Sequence, residues 1–203
     1  MLLHGPTLTL RYAVTGDADD LLALAGDPEV TRWFSWGPYT SVDQPRAYIA
    51  RAQEWRASGQ QLDFVVERRG EGPVGVTGLS EFSARDGRCM VGTWFGLEAW
   101  GTGVNRESKA LIAHLAFAVL GQHRLGSYSN PDNERSTRAL LGVGFRHEGV
   151  LRDWHRHGDD WLDVNVFGML CGGWETSPLR RDFDVRVEGE PPSAFATPGV
   201  PPS

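Results

Sequence analysis

Four groups of residues carry spacings that chemistry uses. Gly101-Thr102-Gly103 lies between an alternating apolar run, residues 89–95, and a helical pattern that starts at once after it. Glycines there let the backbone turn tightly and approach a ligand, and the amides of residues 101–106 point out of an unfinished helix end that attracts phosphate. Ordinary helix entries use glycine too, so the turn alone does not separate phosphate binding from simple chain reversal. Asn133 and Ser136 fall one helical turn apart at a second helix start and share a face, either toward a ligand or as a helix cap. His155-x-His157, with Asp159 nearby, puts two imidazoles on one side of a strand without a convincing third and fourth ligand, so no metal is expected. Free histidine, with a pKa of about 6.5, is suited to take a proton from an ammonium. Trp33, Phe34, Trp36 and Tyr39 crowd a loop with aromatic rings, as core packing or as a substrate wall. No Ser/His/Asp order, cysteine nucleophile or Walker loop stands out, which argues against hydrolase and nucleotide-kinase readings.

The elements that must hold these residues follow from periodicity. Residues 8–14 read as a strand and 18–25 as a helix with Asp17 as N-cap. A longer helix over 44–58 places Tyr48, Ile49, Ala52 and Trp55 on one face and stops at Gly59. Strands are expected at 62–67 and 74–83, joined by a glycine-rich hairpin, and then at 89–95. The helix after the glycine turn carries Ala110, Leu111, Ala113, Leu115, Ala116, Phe117 and Leu120, the pattern of a helix packed on a sheet, with Arg106, Glu107 and Lys109 clustered at its start. Strand 125–129, a helix through about residue 141, and strands 148–154 and 161–170 complete the unit. The order βαα, three antiparallel strands, then αβαββ predicts an α/β (α+β) fold whose mixed sheet carries helices on its faces.

Composition sets the class. With 203 residues, 40% hydrophobic and 23% charged, the chain is long enough for one well-cored domain. A net charge of -6 argues against nucleic acid or an anionic membrane as the main partner. Cys89 and Cys171 form no disulfide framework and suit a reducing cytoplasm. The N-terminal stretch lacks a basic region followed by a long apolar run, and no segment reaches the length of a membrane span, so neither export nor membrane insertion is expected. From residue 172 the pattern weakens. Residues 183–187 are a candidate edge strand, and the Pro/Gly-rich end reads as disordered from about residue 188. The domain expected is 1–171, with 172–203 as an extension that could pack on a second subunit in a homodimer.

Four pieces together resemble the Gcn5-related N-acetyltransferase (GNAT) superfamily, in its RimJ/RimL-like branch. Residues 91–117 look like the acetyl-CoA motif. Asn133-Glu134-Arg135-Ser136 looks like the Asn-x-x-Ser helix start, Gly144-Phe145-Arg146-His147-Glu148-Gly149 like the Gly-Phe-x-x-Glu-Gly turn, and Trp161-Leu162-Asp163 like the branch's aromatic-x-Asp strand. One departure stands out: Trp100 and Asn105 occupy positions where the family's phosphate loop carries Gln or Arg and a small residue.

The resemblance implies an N-acetyltransferase that moves an acetyl group from acetyl-CoA to a primary amine, a protein N-terminus or a small molecule, by direct attack in a ternary complex. It implies a central sheet, mostly antiparallel, that splays at the acetyl-CoA site. Thr93, Trp94 and Phe95 would pair with the pantetheine arm and thioester. Gly101, Thr102, Gly103, Val104, Asn105 and Arg106 would hold the phosphates. Asn133 would bind the CoA arm, Ser136 would stand near the thiolate, and His155, aligned through Glu148 and Asp163 with the branch's carboxylate position, would serve as base. Trp33, Phe34, Trp36 and Tyr39 would face the acceptor. The alternatives are a relative that binds CoA or a partner without transfer, and transfer of a larger acyl group.

Overall fold

A computed structural model describes residues 1–195. Strands β1 (Leu2–His4) and β2 (Leu8–Arg11) lead into helices α1 (Ala18–Ala25), α2 (Pro28–Thr31) and α3 (Asp43–Ser58). Three strands follow, β3 (Leu62–Arg68), β4 (Gly72–Ser83) and β5 (Arg88–Phe95), then helix α4 (Val104–His114), strand β6 (Arg124–Ser129) and helix α5 (Glu134–Gly142). The long hairpin β7 (Arg146–His157) and β8 (Asp160–Leu170) precedes two short helices, α6 (Cys171–Glu175) and α7 (Pro178–Arg181), and strand β9 (Arg186–Glu188).

These strands form one sheet in the order β7-β8-β6-β5-β4-β3-β2-β1-β9. Every neighbouring pair is antiparallel except β5 and β6. Both faces are covered, which is why β3 reads as a nearly continuous apolar run rather than an alternating one. On one face Phe64, Leu79, Val91 and Leu125 meet Leu111, Ile112 and Leu115; on the other Val65 and Val76 meet Leu21 and Ile49. Glu107, buried at the start of α4, accepts hydrogen bonds from the amides of Thr7 and Leu8, both at 2.8 Å, and from the Thr7 hydroxyl at 2.6 Å. That buried carboxylate fixes α4 across the sheet to the β1–β2 turn.

The C-terminal segment departs from the expectation drawn from its composition. Trp174, Leu179 and Phe195 are buried in the same core as α4, and β9 pairs with β1 through Leu3 and Val187. Phe195 meets Phe82 edge-on with ring centroids 4.9 Å apart. Disorder from about residue 188 is therefore corrected up to residue 195; the rest of the expected tail, 196–203, lies outside the described residues. Among the described residues no helix is long and apolar enough to cross a membrane.

Candidate active site

The site begins where two parallel strands part. β5 and β6 pair only at Arg88 with Arg124, Cys89 with Leu125 and Met90 with Gly126. At the next step a side chain takes over: Ser127 Oγ donates to the Val91 carbonyl at 3.0 Å. Beyond it β5 keeps its pairing with β4 as far as Phe95, and β6 keeps its pairing with β8 as far as Ser129. The facing backbone of residues 92–95 and 128–129 is left without a ladder. A cavity of about 750 Å³ fills this split and runs on between α4, α5 and the loop after α2.

At one end stands the glycine turn. Gly101 and Gly103 have φ of 75° and 88°, a left-handed backbone that favours glycine, and nothing lies within 4 Å of where a Cβ would sit on either. Arg106 and Glu107 are the first helix residues whose amides find an acceptor, the Gly103 carbonyl at 3.0 and 3.2 Å. The amides of Gly103, Val104 and Asn105 precede it and are the donors a phosphate needs. Gly101, Gly103, Asn105 and Arg106 line the cavity, whereas the Thr102 and Val104 side chains do not. The Thr102 hydroxyl instead receives Arg68 Nη2 and donates to the Ala99 carbonyl, both at 2.8 Å, which braces the turn. Trp100 donates its indole N–H to the Phe95 carbonyl at 2.9 Å, and the Arg135 guanidinium lies over its ring. Arg135 thus brings a positive charge from α5 to position 100.

Asn133 and Ser136 both line the cavity at the start of α5. Asn133 Oδ1 accepts from the Ser136 amide at 3.0 Å, so capping is realised while the Nδ2 group stays available to donate to a ligand.

The opposite end is aromatic. Trp33, Phe34 and Trp36 line the cavity; Tyr39 stands behind them, its ring 5.3 Å from that of Trp36. Trp36 in turn meets Trp94 edge-on at 5.9 Å. Across from this wall, β7 delivers Trp154, His155 and His157. It does so through an irregularity: the register with β8 shifts between Leu151 and His155, and Asp153 adopts φ 49°, which strains a residue with a side chain. Asp163 Oδ1 accepts the Asp153 amide at 2.9 Å and holds the bulge. This gives the aromatic-x-Asp signature a physical role, because the bulge re-aims His155 into the cavity. His155 packs edge-on against Tyr128 at 5.4 Å. Burial, then His157, lower its basicity against an opposing pull from Glu81, so its neutral form prevails at neutral pH.

One lining residue passes unnoticed in the sequence. Lys109 is 5% exposed and donates from Nζ to Thr93 Oγ1 on the floor of the cavity. Burial lowers its pKa to about 7. One turn separates Arg106, ion-paired with Asp182 at 2.5 Å on the surface, from Lys109 underneath the sheet. A lysine inside an otherwise apolar helical face was the available signal.

An opened parallel pair, a glycine turn feeding a helix start, and a cavity joining them define an acyl-CoA transferase architecture, and the sequence profile of the acetyltransferase (GNAT) domain matches residues 7–146. The chain belongs to that family and is an acetyl-CoA-dependent N-acetyltransferase. The uncharacterized N-acetyltransferase p20 of Bacillus licheniformis is 30% identical over 169 residues, 83% of this chain and 95% of its own. RimJ of Mycobacterium smegmatis, in complex with CoA-disulfide, superposes with a TM-score of 0.77 at 22% identity, over 89% of this chain and 91% of its own. Spermidine N-acetyltransferase from Vibrio cholerae, in complex with CoA and spermine, gives 0.71 at 21% identity, over 83% and 98%. At these identities the two structures establish the fold.

The residues present fit acetyl-CoA. Free amides of residues 103–105, Arg106 and Arg135 suit its phosphates, and the unladdered backbone of residues 93–95 suits an arm with amide groups.

Proposed function

We propose that this enzyme acetylates a single primary amine carried on an uncharged body, by direct attack in a ternary complex. The observation that carries the reading is the cavity wall: no Asp or Glu of the described residues lines it, and with Arg106 and Arg135 facing the phosphates it still carries Arg138 and Arg156. A second ammonium on the acceptor would find no carboxylate on that wall; Glu81 lies behind Tyr128, whose hydroxyl donates to it at 3.3 Å. Acceptors of the kind named for the Vibrio cholerae spermidine enzyme are therefore disfavoured. The uncharged rings of Trp33, Phe34, Trp36 and Trp154 accommodate an apolar or aromatic body, either a small molecule or a protein N-terminus whose first side chain is uncharged.

His155 takes the proton from the attacking amine. Its depressed basicity leaves the ring free to accept at neutral pH, and Tyr128 holds it edge-on. The amides of residues 93–95 polarise the thioester carbonyl, and Ser136 donates a hydrogen bond on the sulfur side. Acetyl-CoA supplies the activated acyl group.

Thiol release measured across aromatic monoamines, N-terminal peptides and spermidine tests the acceptor. Turnover should favour monoamines by at least tenfold in kcat/KM; preference for spermidine would overturn the reading. His155→Gln should lower kcat roughly 100-fold. The wild-type rate should fall as pH drops through the His155 pKa, below the usual histidine value, because protonation removes the base.

A further inference from the structure

Lys109 has no place in the chemistry described so far. Its ammonium is enclosed by β5, α4 and the cavity, and no carboxylate of the described residues pairs with it. A lone buried cation is destabilising, and a leucine would fill a helix face packed on a sheet at no such cost. What anchors it is a directed chain. Nζ donates to Thr93 Oγ1, Thr93 and Thr77 hydroxyls stand 2.8 Å apart, and Thr77 donates onward to the Gly92 carbonyl at 3.3 Å. Because Thr77 gives its proton to Gly92, it accepts from Thr93, whose oxygen then accepts from Lys109. The chain holds Nζ of Lys109 through one hydrogen bond, and Lys109 lines the cavity beside the stretch of β5 assigned to the thioester.

We propose that Lys109 is the donor to sulfur in acetyl transfer, giving first a hydrogen bond and then a proton to the departing CoA thiolate. The proposal rests on the acetyl-transfer reading above. In the step, the acceptor nitrogen bonds to the acetyl carbon and loses a proton to His155. The C–S bond breaks with its electron pair on sulfur, and sulfur takes a proton from the Lys109 ammonium. Lys109 is left as a neutral amine and His155 as an imidazolium; once the products leave, His155 gives its proton to solvent and Lys109 takes one from it. Burial brings its basicity down into the range where a thiolate takes the proton readily. Ser136 keeps a hydrogen bond to the same atom, since a hydroxyl gives up its proton far less easily.

The other titratable groups around this cavity are Arg106 on α4, Arg135 and Arg138 on α5, Tyr128 on β6, and His155, Arg156 and His157 on β7. None of them ion-pairs with Lys109, so their titration changes its field without removing its proton.

Two measurements test the assignment, the first without any acceptor. The structure of the wild-type complex with CoA should place Lys109 Nζ within about 3.5 Å of the CoA sulfur. A sulfur more than about 5 Å from Nζ would overturn the proposal, as would Lys109 found acetylated after incubation with acetyl-CoA. The second is steady-state turnover with the best amine of the panel. Lys109→Met and Lys109→Arg should each lose about 100-fold in kcat with acetyl-CoA affinity within threefold, and both should lose the fall in kcat on the alkaline side of neutrality. Full kcat in Lys109→Met, or affinity falling in step with kcat, would overturn it. Failure of every amine with wild type, alongside Nζ found at the sulfur, would fault the acceptor reading and leave this one standing.

Discussion

At the scale of single residues the site trades stability for chemistry. Lys109 titrates near 7 in the folded chain against 10.5 when free, so the unfolded chain binds more protons between those values. Native stability attributable to this residue therefore rises with pH from 7 to 10.5, and the full penalty of the buried charge applies below 7. Lys109→Met should raise the stability by roughly a few kcal/mol near pH 6 and by much less at pH 10, which denaturant melts at the two pH values would show. Asp153 supplies a second case. Asp153→Gly should relieve left-handed strain, and Asp163→Ala should release the bulge. The expected result for Asp163→Ala is a loss of kcat comparable to His155→Gln with acetyl-CoA affinity kept, read from thiol release and ligand titration. Residue types were legible at this scale: His155, Ser136 and the glycines carry recognisable chemistry. Environment was less so: the letters set the buried Glu107 and Lys109 beside the exposed Arg106, and only the apolar residues around Lys109 on its helical face pointed to its burial.

At the scale of elements, the turn and its helix act together. Gly103→Ala forces a β-carbon into a backbone region that disfavours it by about 1–2 kcal/mol, with no neighbouring atom to clash. If the turn conformation gives way, the free amides of α4 turn with it, so a loss of acetyl-CoA binding larger than the loss of stability is expected in calorimetry. Most elements were legible because their periods are clean: α1 starts and stops where its apolar spacing places it, although Asp17 before it makes no side-chain cap bond and accepts from Arg11 and the Val14 amide instead, and the hairpin of β3 and β4 is marked by glycine and charge. β1 was harder. β9 at 186–188 overlaps the edge strand expected at 183–187, while β1, with three residues, is too short for a period to show and is held by pairing with both β2 and β9. The capping role of Asn133 was readable in advance, and its simultaneous place in the cavity comes from the sheet beneath it.

At the scale of the molecule, residues 172–195 belong to the core that α4 needs, which composition hid behind proline and glycine. Cutting the chain after Leu170 should therefore unfold it or lower its melting temperature sharply, which thermal melts would show. Phe195→Ala should cost roughly 3 kcal/mol with activity at low temperature kept, a result that thermal melts and thiol release would check together. The split between β5 and β6 has a consequence at this scale too. A sheet normally has two free edges, and opening one inside the molecule creates two more, bare strands of the kind that invite another chain to dock. Here the inner edges face each other across a gap roofed by α4 and α5, so a full strand is excluded and a thin arm bearing amides is admitted. The protein thus turns a hazard of β structure into selectivity by width. Amide exchange at residues 92–95 and 128–129 should slow when acetyl-CoA is added, while the outer edges at β7 and β9 stay as they were.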